Sequence, residues 1–346
     1  MSSDRFHVDI GPPEESPTPG AQYTFPQRTV RIEAITGFRD LGLPQLDGVV
    51  LALDWVANDR HHTWGSAVMV APGIALTAGH VVDEMRERGF LAEGGGQLFA
   101  VSFHADRVEL WRADSFTRVD VGDLSLLTLV RTTARSEAST TTPLRFGLAR
   151  MAARMPQLGE TISLIGFKAA EQSFEGKALM GLALVGSVGQ VIDVYPQRRD
   201  SHGLPNPAIA VNARTVGGMS GGAAFDANGN LIGVISSGFD EPTSFVSLSW
   251  PATYVPIAPK WPPAAMPVET SLGALARAGF GIEHLDDVET WWTEDGHQMV
   301  SIADPVGAAS SAPLQMANNT NHHCAPLPSE AVKDEPDRGE KRPPAG

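Results

Sequence analysis

Ser220 lies in the stretch Thr215-Val-Gly-Gly-Met-Ser-Gly-Gly-Ala-Ala-Phe-Asp226, where glycines enclose a single hydroxyl between two apolar runs. A serine hydroxyl is a poor nucleophile until a base takes its proton during attack. A serine used this way therefore calls for a histidine, and for an acid that holds the imidazole in the right tautomer. Glycines beside the nucleophile let the backbone turn tightly and approach a substrate with no Cβ in the way. Taken alone, Gly-x-Ser-Gly-Gly fits two unrelated serine-nucleophile architectures, and it also fits a chemically silent turn. The remainder of the chain has to choose.

Upstream, an apolar run ends in Ala75-Leu-Thr-Ala-Gly-His80-Val-Val82, and Asp123-Leu-Ser-Leu-Leu-Thr-Leu puts an acid at the head of another. The order is His80, Asp123, Ser220, with separations of 43 and 97 residues. The elements that would carry these residues read as strands. Apolar or alternating runs recur at 66–71, 73–82, 98–103, 107–112 and 124–130, then at 161–167, 179–194, 208–213, 222–225, 231–236 and 244–250, with Gly, Pro, Asp or Asn between them. That spacing is the all-β signature. Asp226-Ala-Asn-Gly-Asn230 reads as a hairpin turn, and the polar stretch from 136 to 157 divides the strands into two groups. Two packed β-barrels account for the pattern.

Composition agrees. The chain has 346 residues, is 42% hydrophobic, and is rich in glycine (35) and proline (26), which suits short strands joined by turns. A net charge of −14 makes phosphate-backbone binding a poor fit, so no nucleic-acid partner is expected. Cys324 is the only cysteine, which rules out an intramolecular disulfide. The first residues show no basic start followed by an apolar stretch, and no run is long enough to span a membrane, so a cytoplasmic location without membrane contact is the expectation. Residues 1–45 read as a polar, proline-rich arm, 46–260 as the strand-rich domain with barrels at about 46–135 and 158–260, 261–304 as a small C-terminal appendage with helical spacing over 270–280, and 305–346 as a disordered tail.

Over residues 48–258 the chain resembles the trypsin/chymotrypsin-like serine peptidase family, in its disulfide-free bacterial form. Thr77-Ala-Gly-His80 resembles that family's histidine motif, Asp123-Leu-Ser-Leu-Leu its acid motif, and Gly218-Met-Ser-Gly-Gly222 its nucleophile motif. The resemblance implies two packed six-stranded antiparallel barrels and an endopeptidase acting on protein or peptide substrates through an acyl-enzyme, with no cofactor and no metal. His80 would be the base and later the acid, and Asp123 its orienting partner. The backbone N–H groups of Gly218 and Ser220 would form the oxyanion hole. Ser236, Ser237 and Gly238 would pair with an extended substrate as an added strand, and Arg214 and Thr215 would stand near the base of the primary specificity pocket. An arginine there would favour an acidic side chain, but the loop before the glycines more readily turns Arg214 to solvent.

Two departures from the animal digestive enzymes stand out. Met219 occupies the position where those enzymes carry an aspartate, and no Ile-Val-Gly-Gly-like start is present to supply the amine that pairs with it. Activation by N-terminal cleavage is therefore not expected. The arm and the appendage are candidates for regulating access or docking a regulatory partner.

Three rival readings remain open on the sequence. One keeps the barrels as a catalytically silent or partner-activated binding module. A second is an α/β-hydrolase esterase, whose nucleophile elbow requires a helix after Ser220 and a histidine later in the chain, such as His284 or His297. The third is the silent turn. Asp120 competes with Asp123 as the acid, but Asp123 heads the apolar run, where a buried orienting acid belongs. The pairs His61-His62 and His322-His323 beside Cys324 lack matching partners for a metal, and Asn318-Asn-Thr320 is a sequon without a secretory context.

Overall fold

A computed structural model of the chain describes residues 12–16, 22–30, 38–41, 46–57, 60–90, 96–133, 143–174, 177–196, 207–238, 242–263, 266, 268–279, 282–283, 285–292, 298–302, 314–316 and 321–323. Six strands build the first barrel: β1 (Val50–Ala57), β2 (Arg60–Ala71), β3 (Ile74–Ala78), β4 (Gln97–Phe103), β5 (Val108–Val119) and β6 (Leu124–Arg131). They run in the order β5-β4-β1-β2-β3-β6, and pairing of β5 with β6 closes the ring. Another six build the second: β7 (Thr161–Phe174), β8 (Lys177–Tyr195), β9 (Ala208–Val211), β10 (Ala223–Phe225), β11 (Leu231–Gly238) and β12 (Ser244–Leu248). Their order is β10-β7-β8-β9-β12-β11, closed by β10 with β11. Closure matters because it leaves no long unpaired sheet edge within either barrel.

Apolar runs account for these strands. Leu51 and Leu53 of β1, Ile74 and Leu76 of β3, and Leu124 and Leu126 of β6 are fully buried, and β3 and β6 are buried along their whole length. The β10–β11 turn is where the sequence places it. The Asp226 carboxylate accepts from the backbone N–H groups of Asn228 and Asn230, both at 2.9 Å, and Gly229 N–H donates to the Asp226 carbonyl. One apolar run behaves differently from its sequence pattern. It leaves the sheet after Ala78 and becomes helix α1, Gly79–Glu87, which buries Val81, Val82 and Met85 along one side.

The described parts of the N-terminal arm lie against both barrels. Tyr23–Thr24 and Gln27–Arg28 pair in parallel with Leu144–Arg145 and Leu148–Ala149 of the inter-barrel connection. Val30 N–H reaches the Gly229 carbonyl at 2.8 Å, and Arg39–Asp40 pairs with β8. Glu14 fixes the start of this path on the first barrel. Its N–H donates to the Arg131 carbonyl, and its carboxylate accepts from Trp261 Nε1 at 3.0 Å and from the Tyr23 hydroxyl. Trp261, expected at the start of the appendage, is instead completely buried among Tyr23, Phe25, Trp111 and Phe146, so the core extends past residue 260.

Of the appendage, Leu272–Arg277 is a short helix, α2, and Val288–Trp292 pairs with Gln298–Ile302 as a hairpin. Within the stretch read as a disordered tail, Leu314–Met316 and Asn321–His323 are strands, the latter paired with Ser115–Thr117 of β5. The rest of that stretch, including Cys324 and the sequon's Asn318 to Thr320, lies outside the described residues, as do His284 and His297. Among the described residues no helix is long and apolar enough to cross a membrane.

Replacing Glu14 by Ala leaves the buried Trp261 indole N–H without its acceptor and removes a bond to the Tyr23 hydroxyl, so it is expected to lower the unfolding free energy by about 1–3 kcal/mol. Asp106→Ala removes only an exposed partner of Arg107 and should change stability by less than about 0.5 kcal/mol. Urea unfolding of the two variants checks the difference. Equal, small effects would show that the arm is not anchored through Glu14.

Candidate active site

β3 delivers His80. It ends at Ala78, and His80 is the second residue of α1, so the imidazole stands at the rim of the first barrel. The turn before β6 delivers Asp123, whose side chain is only 6% exposed while that of His80 is 42% exposed. Asp123 Oδ2 meets His80 Nδ1 at 2.6 Å, and Asp123 Oδ1 accepts the His80 backbone N–H at 2.7 Å. Both oxygens of the carboxylate therefore hold the same residue. The Ser236 hydroxyl donates to Oδ2 at 2.6 Å, and Ser247 Oγ accepts the Asp123 N–H at 2.9 Å. Asp120, the competing acid, is exposed.

Arg118 holds the turn that carries Asp123. Its guanidinium donates to the carbonyls of Val119, Gly122 and Leu124, and it stands 3.7 Å from Asp123 Oδ1. Burial works to raise the Asp123 pKa, but the His80 hydrogen bond and charge, the Ser236 hydroxyl and the His80 N–H outweigh it, and the carboxyl titrates below its ordinary value. Burial likewise works to lower His80. The hydrogen bond and charge of Asp123, with help from Glu84, prevail over it and over Arg118, so the imidazole titrates above its ordinary value.

Ser220 arrives from the second barrel, in the loop just before β10. It faces a cleft of about 450 Å³ lined by His80, Arg214, Thr215, Ser220, Ser236 and Gly238, with Ser237 on the same wall. Its hydroxyl lies 3.5 Å from the Ser236 carbonyl, a long and weak hydrogen bond. Because Nδ1 is committed to Asp123, Nε2 is the His80 nitrogen left to face a nucleophile.

The amides around Ser220 divide into satisfied and open ones. Met219 N–H donates to the Val216 carbonyl, Gly221 N–H to that of Ile235, and Gly222 N–H to that of Met219. Among the described residues, the N–H groups of Gly218 and Ser220 have no such acceptor. Gly218 sits at φ +91°, a left-handed conformation that favours glycine. Gly221, at φ +82°, is pressed so close to β2 that a Cβ would lie 2.1 Å from the Ser66 carbonyl. Met219 is completely buried, with its sulfur 3.4 Å from the Val216 N. No charged partner is needed at that position.

Arg214 is exposed. It reaches over the Phe38 ring of the arm, 5.9 Å from the centroid, while still lining the cleft. Thr215 turns its hydroxyl to Ser244 Oγ at 2.9 Å. After Ser220 the chain forms strand, turn and strand rather than the helix an esterase elbow requires. Two features had no sequence signal. The side chain of Ser236, expected only to line the cleft, bonds to Asp123, and Arg118 braces the acid's turn. Asp54 and His61 form a separate pair at 2.7 Å. Among the described residues no group of three or more His, Cys, Asp or Glu side chains could hold a metal ion.

Residues 65–234 match the trypsin-like peptidase domain family, so this chain carries a trypsin-like peptidase domain, and its paired barrels have the chymotrypsin-like protease fold. Similar solved structures include Deg5 (16% identity, TM-score 0.40, covering 58% of this chain and 84% of that one). The MamO protease domain from Magnetospirillum magneticum is similar at 13% identity and TM-score 0.39, covering 59% and 93%. Rv3671c from M. tuberculosis, in an inactive form, is similar at 16% identity and TM-score 0.36, covering 59% and 82%. No curated protein sequence matches the chain.

Asp123→Asn provides a test of the electrostatics. It removes the charge that holds His80 up and leaves burial largely unopposed, so the imidazole midpoint should fall below 6.5. NMR titration of the ring protons reads this directly, and an unshifted midpoint would show that Asp123 does not set the His80 pKa.

Proposed function

We propose that the domain is a serine endopeptidase in which Ser220 attacks a peptide carbonyl, His80 takes and returns the proton, and Asp123 orients and stabilises the imidazolium. The observation that carries this reading is the unclaimed pair of amides at Gly218 and Ser220, beside a hydroxyl that shares its cleft with a carboxylate-held imidazole. Two donors flanking the nucleophile are what a tetrahedral oxyanion requires.

The reading implies the following steps. Ser220 gives up its weak contact with the Ser236 carbonyl and passes its proton to His80 Nε2 as it attacks. Asp123, buried and ionised, stabilises the imidazolium without taking its proton. The oxyanion settles on the Gly218 and Ser220 amides. His80 then protonates the departing amine, and water repeats the sequence on the acyl-enzyme. An extended protein or peptide substrate pairs with the Ser236–Gly238 edge, which places its carbonyl over Ser220.

The intact chain, arm included, should react with a fluorophosphonate probe at Ser220, as mapped by peptide mass spectrometry. Ser220→Ala should abolish the adduct, and His80→Ala should slow it by at least about a thousandfold. The rate should fall on acidification as His80 becomes charged, with a midpoint above 6.5, because only the neutral imidazole accepts a proton. Reaction that ignores His80→Ala would contradict the triad. Reaction only after removal of the arm would contradict a cleft that is ready in the full chain.

A further inference from the structure

The strand facing the oxyanion loop carries a side chain with a more specific arrangement than packing requires. Ser66, on β2 of the first barrel, is completely buried. Its hydroxyl donates to the Gly218 carbonyl at 2.9 Å and accepts the Phe167 N–H of β7 at 2.8 Å. Its backbone N–H donates to the Ser220 carbonyl at 2.8 Å, and its carbonyl accepts the Thr77 hydroxyl at 2.7 Å. One residue of the first barrel thus holds the peptide planes on both sides of Met219-Ser220, and ties them to the second barrel's own wall at Phe167.

We propose that Ser66 is a positioning residue for the oxyanion hole: its hydroxyl, bridging Gly218 and Phe167 across the barrel seam, keeps the Gly218 and Ser220 amides turned into the cleft. The proposal rests on the serine-peptidase reading of the site. With Met219 buried and apolar, no charge at that position holds the loop, and hydrogen bonds must do so. The Gly218 carbonyl is the point at which the loop can turn. Gly218 has no Cβ to restrict it, and the 218–219 peptide is held by Ser66 at its oxygen and by Val216 at its N–H. Without the hydroxyl, the buried Phe167 N–H and the partly buried Gly218 carbonyl both lose their partner. The loop can relieve this by turning that peptide, which carries the neighbouring amides away from the oxyanion position. Displacements of about 1 Å in such a site lower rates on the order of a hundredfold.

The test is the inactivation kinetics of the full chain with a fluorophosphonate probe, separated into kinact and KI. For Ser66→Ala, kinact should fall about 10- to 100-fold, because the oxyanion donors act in the chemical step. KI should stay within about twofold, and the pH midpoint of kinact should not move, since His80 and Asp123 are untouched. Ser66→Thr, which keeps the hydroxyl, should recover most of the rate. If Ser66→Ala lacks a cooperative unfolding transition, Ser66→Cys, with its weak S–H donor, is read in its place by the same criteria.

A folded variant with wild-type kinact would overturn the proposal and leave the peptidase reading standing. So would a loss shared between kinact and KI, or a shifted midpoint, either of which signals general damage to the cleft. A wild-type chain that takes up no probe at Ser220 would overturn both.

Discussion

The hydrogen-bonded seam between β2 and the loop before β10 is the constraint on which the site depends. His80 and Asp123 belong to the first barrel and Ser220 to the second, so no single sheet can set their distances. The bond from Ser66 N–H to the Ser220 carbonyl fixes the Ser220 backbone to the barrel that holds His80. The close approach at Gly221, where any side chain would meet the Ser66 carbonyl, shows how little freedom remains. Each barrel is closed on itself, so its strands hold one another in register. Fixing one edge of one against the loop of the other therefore fixes the site.

Around that seam, buried polar groups are used in chains rather than singly. Asp123 is nearly buried, which by itself would disfavour its charge. The imidazole, the His80 N–H and the Ser236 hydroxyl each favour the ionised form, and Arg118 ties down the turn that presents it. Remote from the cleft, Glu14 has a comparable position, with Tyr23, Trp261 and Arg131 gathered about its carboxylate. Through it the arm runs from the first barrel along the connection to the second, and ends its described course where Arg214 lies over Phe38. The Arg214 side of the cleft is thus in contact with the arm, a link that local sequence patterns do not express.

What was legible in the sequence follows from range. The barrels could be read because strand alternation is a local property, and the Asp226 turn because its side chain bonds its own neighbours. His80, Asp123 and Ser220 could be read because each sits in a short motif whose order is distinctive. Ser66, Arg118 and Glu14 could not. Ser66 and Gly218 are 152 positions apart, and Glu14 and Trp261 are 247 apart, so their pairing exists only once the barrels have closed. The helix at Gly79 was hidden for a related reason. Val81 and Val82 look like the end of a strand, but the backbone turns there, where His80 N–H meets the Asp123 carboxylate and Arg118 packs on Gly79.

The central claim is that two amides stand ready in the resting chain for an oxyanion at Ser220. A crystal structure of the full chain after reaction with diisopropyl fluorophosphate tests it most directly. The account predicts a phosphoryl group on Ser220 Oγ, with one oxygen about 2.7–3.1 Å from both the Gly218 and Ser220 nitrogens, and a loop backbone unchanged from the arrangement described above. A phosphoryl oxygen that faces solvent, or a loop that reaches the adduct only after the 218–219 peptide has turned over, would contradict it.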